Sequence, residues 1–236
     1  MSLEQYTRAL LNLLHTVSQS EEASMRKAAA WIADALSADG LLYTFGTGHS
    51  QLLACEAFYR AGGLAPVSVM LEGTVGLEPG AVASSFLERT TGYGALVAER
   101  YPIGPRDVLM VFSNSAANAV PLEVARAVKA RGAKVVAVIS RRYAEFKGSA
   151  MFEIADLILD NHAPPGDAVI PVGDAAVGPV STVAGAYILN AVLSEVAALL
   201  GERGEAVPLY LSSNMPGAPE HNARLVERFR PRIRHL

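Results

Sequence analysis

Five short apolar runs, separated by helical patterns, constrain this chain more than any other feature. They read LLYTF (residues 41–45), APVSVML (65–71), DVLMVFS (107–113), AKVVAVIS (133–140) and IADLILD (154–160). A strand with one wet face alternates apolar and polar residues. These runs are almost continuously apolar, so both faces of each strand must be covered. Helical patterns at about 50–62, 83–99 and 119–131, with a shorter one near 143–149, supply the cover. Strand and helix in alternation predict a parallel α/β sheet with right-handed crossovers and helices on both faces.

The flanks are helical too. Leu3, Tyr6, Leu10, Leu13, Leu14 and Val17 recur at helical spacing, and Ser20 precedes Glu21, Glu22 and a second helix to about Leu36. Those carboxylates stand at the helix end that the dipole favours for negative charge. Residues 178–200, GPVSTVAGAYILNAVLSEVAALL, predict a long, nearly all-apolar helix for the sheet packing or a subunit interface. The expected organisation is an N-terminal helical arm (1–38), one domain (39–204) and a C-terminal tail (205–236) with a short helix on the domain or a neighbouring subunit.

Composition excludes several classes of function. Net charge is −3 and the one basic stretch is RFRPRIRHL, so nucleic acid is not an expected partner. Cys55 is the sole cysteine, which rules out an internal disulfide and a thiolate metal cluster; its periodic position reads as a small buried side chain. The N-terminus lacks the apolar core of a signal peptide, and no stretch approaches the ~20 apolar residues of a bilayer span. A cytoplasmic chain without membrane contact is expected.

Chemistry concentrates in two loops. The first apolar run ends in Gly46-Thr47-Gly48-His49-Ser50 and the third in Ser113-Asn114-Ser115-Ala116-Ala117-Asn118, each opening a helical pattern. If the strand order is 2-1-3-4-5, strand order reverses between strands 1 and 3, and the two loops face each other across the crevice where such sheets bind ligands. Helix N-terminal amides and hydroxyls there attract an anion. The bland alternative is N-capping by Ser50 and Ser115. A dinucleotide reading of Gly46-x-Gly48 with Glu72 fails at Gln51, where the fingerprint needs glycine. A nucleophile-elbow reading of GHSQL fails at Leu52 for the same reason.

FGTGHSQLLACEAFYRAGGLAPV, VFSNSAANAVPLEVARAVKARGAKVVAVIS and ADLILDNHAPPGDA resemble the sugar isomerase (SIS) domain. More narrowly they resemble bacterial phosphosugar-binding, phosphoheptose-isomerase-like SIS proteins, and the resemblance extends to SSNMPGAPEHN near the C-terminus. It implies a three-layer αβα sandwich with a five-stranded parallel sheet of order 2-1-3-4-5, and sites at the interface of a homo-oligomer. It also implies that Ser113, Ser115 and Asn118, with Asn114 between them, hold a sugar phosphate, while Gly46, Thr47, Gly48 and Ser50 lie against the sugar. One residue departs from the family pattern: Ala116 stands where glycine is usual.

An aldose–ketose isomerase also needs groups that move protons. Glu72, after the second run, is the first-choice base, and His49 inside the first loop is the best-placed histidine. Glu56 is a second carboxylate, although Arg60 at i+4 offers it a salt bridge. His221 could be delivered by the C-terminal tail, His162 reads as structural, and His15 and His235 as surface residues. No histidine pair has helix-site metal spacing, so neither metal nor cofactor is expected. The expected function is binding of a phosphorylated sugar with enediol isomerisation; the alternatives are a lyase or etherase on an amino-sugar phosphate, and a non-catalytic phosphosugar sensor.

Overall fold

The computed structural model describes residues 2–236. Helices α1 (Ser2–Ser20) and α2 (Glu22–Ser37) precede strand β1 (Leu42–Gly46) and helix α3 (Ser50–Glu56). Next come β2 (Val67–Val69), α4 (Ala81–Leu87), α5 (Tyr93–Glu99), β3 (Val108–Phe112) and α6 (Ala119–Ala130). The order continues with β4 (Lys134–Ile139), α7 (Arg141–Phe146), α8 (Met151–Ile154) and β5 (Leu157–Asp160). Strands β6 (Ala168–Val172) and β7 (Ala175–Pro179), the long helix α9 (Ser181–Glu202) and α10 (Ala218–Phe229) close the chain.

The first five strands form one parallel sheet of order β2-β1-β3-β4-β5, the order that the resemblance implies. Alternate residues of each strand feed opposite cores. Val108, Met110, Phe112, Val136 and Val138 pack against α2, α3 and α9. Leu109, Val111, Val135, Ala137 and Ile139 pack against α5, α6 and α8 on the other face. Asp107 closes the bottom of the sheet by accepting from the amides of Leu41 (2.8 Å) and Gly104 (2.8 Å).

Several sequence expectations need correction. The 83–99 pattern is two helices, because Gly92 adopts φ 88° between them. Helix α3 stops at Glu56 rather than 62: Tyr59 turns left-handed at φ 44° and packs edge-on against Tyr210. The Gly62 amide donates to the Tyr210 carbonyl at 2.8 Å, and the Tyr210 amide to Gly63 at 2.9 Å, so tertiary pairing overrides the helical pattern. The loop before α9 contains an antiparallel hairpin turning at Gly173-Asp174. Pro171 and Pro179 mask it in sequence, since proline demotes a strand reading. Cys55 is exposed rather than buried. His235 is half-buried, Tyr101 and His235 lie 3.0 Å apart between hydroxyl and Nε2, and burial, then Arg234 and Arg100, hold the imidazole pKa below its ordinary value.

Helix α9 is, by length and composition, apolar enough to cross a bilayer, contrary to the expectation that no stretch approaches this. Here it lies along α2 and α3 and buries Ile188, Leu189, Val192 and Val196 in the core. Replacing Ile188, which is fully buried, with alanine is expected to cost about 2–4 kcal/mol. Val183→Ala, on the exposed side, should stay within about 0.5 kcal/mol. Urea unfolding of the two variants measures the difference.

Candidate functional site

Strands β1 and β3 lie side by side, with Gly46 paired to Phe112, so the loops that follow leave the same edge of the sheet. The first loop turns immediately. Ser50 donates its amide to the Thr47 carbonyl (3.0 Å) and Gln51 to Gly48 (3.1 Å), while Gly48, at φ 53°, donates to the Val75 carbonyl (2.8 Å). Gly46 permits this close return, because a Cβ there would overlap the Ser50 carbonyl. Helix α3 therefore begins one turn beyond the strand, with His49 exposed at its N-cap position and making no capping bond.

The second loop is pinned on both sides. The Ser113 amide donates to Val138 at 3.1 Å, Ser140 donates to the Asn114 carbonyl at 2.9 Å, and Ala116 donates to Ser113 at 3.1 Å. Ala116 is fully buried and left-handed at φ 48°. A Cβ in that conformation costs roughly 1–2 kcal/mol, which glycine would avoid. The methyl group is accommodated because it is buried in the apolar core on the α6 side of the sheet, and the Ser149 hydroxyl donates to the Ala116 carbonyl. Among the described residues the amides of Ser115, Ala117 and Asn118 make no backbone hydrogen bond.

Between the loops lies a cleft of about 420 Å³ bordered by Thr47, Gly48, His49, Ser50, Asn114, Glu88, Asp167 and the start of α9 at Ser181 and Thr182. A smaller recess below it adds Ser113 and Asn161. Asn161 donates to the Asn114 side-chain oxygen at 3.0 Å, which ties the end of β5 to the second loop. Asp167 caps α9: one oxygen accepts from the amides of Val180 (3.0 Å) and Ser181 (2.7 Å), the other from the Ser181 hydroxyl (2.7 Å). No arginine or lysine borders the cleft or the recess among the described residues. The capping alternative for the loop serines is not what their geometry shows, since neither α3 nor α6 receives a side-chain cap bond.

Of the residues singled out in the sequence, Thr47, Gly48, His49, Ser50, Ser113 and Asn114 meet at this cleft and recess. Gly46 lies buried beneath them, and Ser115 and Asn118 are half-buried in the second loop without bordering the opening. Glu72 is elsewhere. It is buried behind the first loop, ion-paired with Arg100, and accepts from the Thr74 hydroxyl at 2.9 Å. Glu56 pairs with Arg60 in a separate cavity of about 390 Å³ beside α9. The His221 Nε2 lies 2.8 Å from the Leu209 carbonyl, on α10. His162, at φ 54°, sits between Glu21 (3.3 Å) and Asp160 (3.6 Å). Among the described residues no cluster of three His, Cys, Asp or Glu side chains could hold a metal ion.

Sequence reasoning missed Glu88, Asn161, Asp167, Ser181 and Thr182. Glu88 fell inside a pattern read as one continuous helix, where it counts as a solvated face. The signal for Asp167 was the PPGD turn before an apolar helix, which marks a loop but not which helix the aspartate caps.

An open parallel sheet with hydroxyl-rich loops over its central strands defines an α/β domain with a ligand crevice where strand order reverses. The SIS domain family model matches residues 5–140, more than half of the chain, and the protein belongs to the SIS domain family. A UPF0309 protein of Brucella canis is 49% identical over 219 residues, spanning 91% of this chain and 90% of that one. Among solved structures, the phosphoheptose isomerase GmhA of Neisseria gonorrhoeae superposes with a TM-score of 0.58 at 14% identity, covering 84% of this chain and 97% of that one. The sugar isomerase domain of the RpiR transcription factor of Sphaerobacter thermophilus gives 0.52 at 15%, covering 98% of each. The NanR protein of Vibrio vulnificus, complexed with ManNAc-6P, gives 0.55 at 15%, covering 100% of this chain and 71% of that one. At these identities the likeness concerns the fold.

The return of the first loop over Gly46 sets this geometry. Gly46→Ala is expected to cost about 1–3 kcal/mol through the forced displacement of the Ser50 carbonyl. Gly104→Ala, where an added Cβ meets open space, should cost far less. Thermal unfolding of both variants tests this contrast.

Proposed function

We propose that the cleft binds the phosphate of a phosphorylated sugar and that the protein interconverts its aldose and ketose forms through an enediol. The observation that carries this reading is the set of uncommitted donors. The hydroxyls of Ser50 and Ser113 border the recess without an intramolecular hydrogen bond among the described residues, Ser50 opening α3 and Ser113 ending β3 in the loop that leads to α6. A phosphate held this way needs no cationic side chain. Ser115 and Asn118, half-buried in the same loop, complete the phosphate set in this reading.

The solved neighbours support the substrate class, in that one is a phosphoheptose isomerase and another was solved with ManNAc-6P. Catalysis rather than sensing is favoured by titratable groups at the cleft, His49 and Glu88, which a receptor for the phosphate alone would not need. Val82 and Phe86 of α4 are exposed at the rim, and in this reading a second copy of the chain covers them in a homo-oligomer.

A sugar phosphate at 100 times its dissociation constant should stabilise the protein by about 2.7 kcal/mol, a rise of about 5–10 °C for a chain of this size. Thermal-shift titration with sugar phosphates and their unphosphorylated parents is the test. Stabilisation by the phosphorylated forms, weakened about 10- to 100-fold by Ser113→Ala, is the expected result. A dinucleotide that stabilises while every sugar phosphate stays silent sinks the proposal.

A further inference from the structure

Asp167, Glu72 and Glu88 stand at or near this end of the sheet, and their partners separate them. Both oxygens of Asp167 are consumed by three donors at the N-terminus of α9. Glu72 is buried against Arg100 and is absent from the cleft wall. Glu88 differs from both. Its side chain is 15% exposed and borders the cleft, and its Oε2 accepts one hydrogen bond, from the Thr47 hydroxyl at 2.7 Å. Its Oε1 faces Arg89 at 3.4 Å, but that arginine is 58% exposed, so water screens the pair strongly.

Glu88 is also held in place by its main chain. It is the C-cap residue of α4, and its carbonyl accepts from the Val120 amide at 3.0 Å, in the first turn of α6. The side chain thus binds the first loop while the backbone binds the helix that follows the second. A carboxylate held by Thr47 on the cleft wall and by its backbone on the buried first turn of α6, with one oxygen left to the cleft and water, is placed as a proton-transfer group should be.

On the phosphosugar-isomerase reading above, we propose that Glu88 is the base that carries the proton between the two carbons. In the open-chain aldose phosphate, the Glu88 carboxylate takes the proton from the carbon next to the carbonyl. That C–H pair becomes the C=C bond of the enediol, the carbonyl π pair moves to its oxygen, and that oxygen gains a proton from the neighbouring hydroxyl, relayed by His49. The carboxylic acid of Glu88 then returns its proton to the former carbonyl carbon. The C=C pair forms the new C–H bond and the other oxygen becomes the ketone, so no oxidant or reductant is needed.

The test uses terminally phosphorylated glucose, glucosamine, ribose and heptose, incubated with the full chain in deuterated water. Proton NMR follows loss of the C–H signal next to the carbonyl, and thermal shift follows binding in parallel. Glu88→Gln keeps an acceptor for Thr47, so it should retain the ligand-induced rise in melting temperature while slowing exchange at least about 100-fold. Glu72→Gln should leave exchange in the bound sugar within a few-fold of wild type. If wild type exchanges the proton and Glu88→Gln does so at a similar rate, the assignment of the base is overturned while the isomerase reading stands. If wild type binds these sugars and exchanges none of them, the isomerase reading fails, and Glu88 loses its role with it.

Discussion

The parallel pairing of β1 with β3 is the constraint on which the site depends. Between the two strands the chain makes β2 and three helices, yet Gly46 ends beside Phe112 in the middle of the sheet. The right-handed rule for crossovers forces β2 outward on one side and β4 on the other, so nothing covers the carboxyl ends of the central pair from within the sheet. The loops meet there because strand order reverses, not because their sequences attract each other. Asn161, arriving from β5, and Ser181, at the start of α9, reach the same place from elements far along the chain.

Backbone conformation sets the loop shapes. Gly46 and Gly48 serve different needs: the first admits a carbonyl where a side chain would stand, and the second supplies a left-handed turn. Ala116 takes a left-handed conformation without that freedom, and its neighbours bear the strain through a buried methyl contact and the Ser149 hydrogen bond. The second loop is therefore locked before any ligand arrives. Preorganised donors of this kind lose little entropy on binding.

Charge is arranged with similar economy. Carboxylates that stabilise the frame are paired: Glu72 with Arg100, Glu56 with Arg60, Asp167 with the N-terminus of α9. The cleft itself keeps hydroxyls, His49 and Glu88. Among the described residues neither lysine nor arginine borders the cleft, in keeping with the net charge of −3.

Local periodicity, and the glycines that punctuate it, were enough to specify the sheet, its parallel sense and the two loops. Residues 41–45 and 107–113 had no alternative to being buried strands, and the loops behind them had to open helices. The resemblance to the SIS domain marked Ala116 as the odd residue of the second loop. Tertiary structure alone decided which side chains share the cleft. Glu72 and Glu88 read alike along the chain, but one meets Arg100 behind the first loop and the other meets Thr47 inside the cleft. The hairpin at 168–179 and the early end of α3 were decided in the same way, since contacts with Asp167 and Tyr210 outweigh local propensity. A carboxylate's role depends on its partner, and partners here lie 28 to 41 residues away, beyond the reach of any pattern in the sequence.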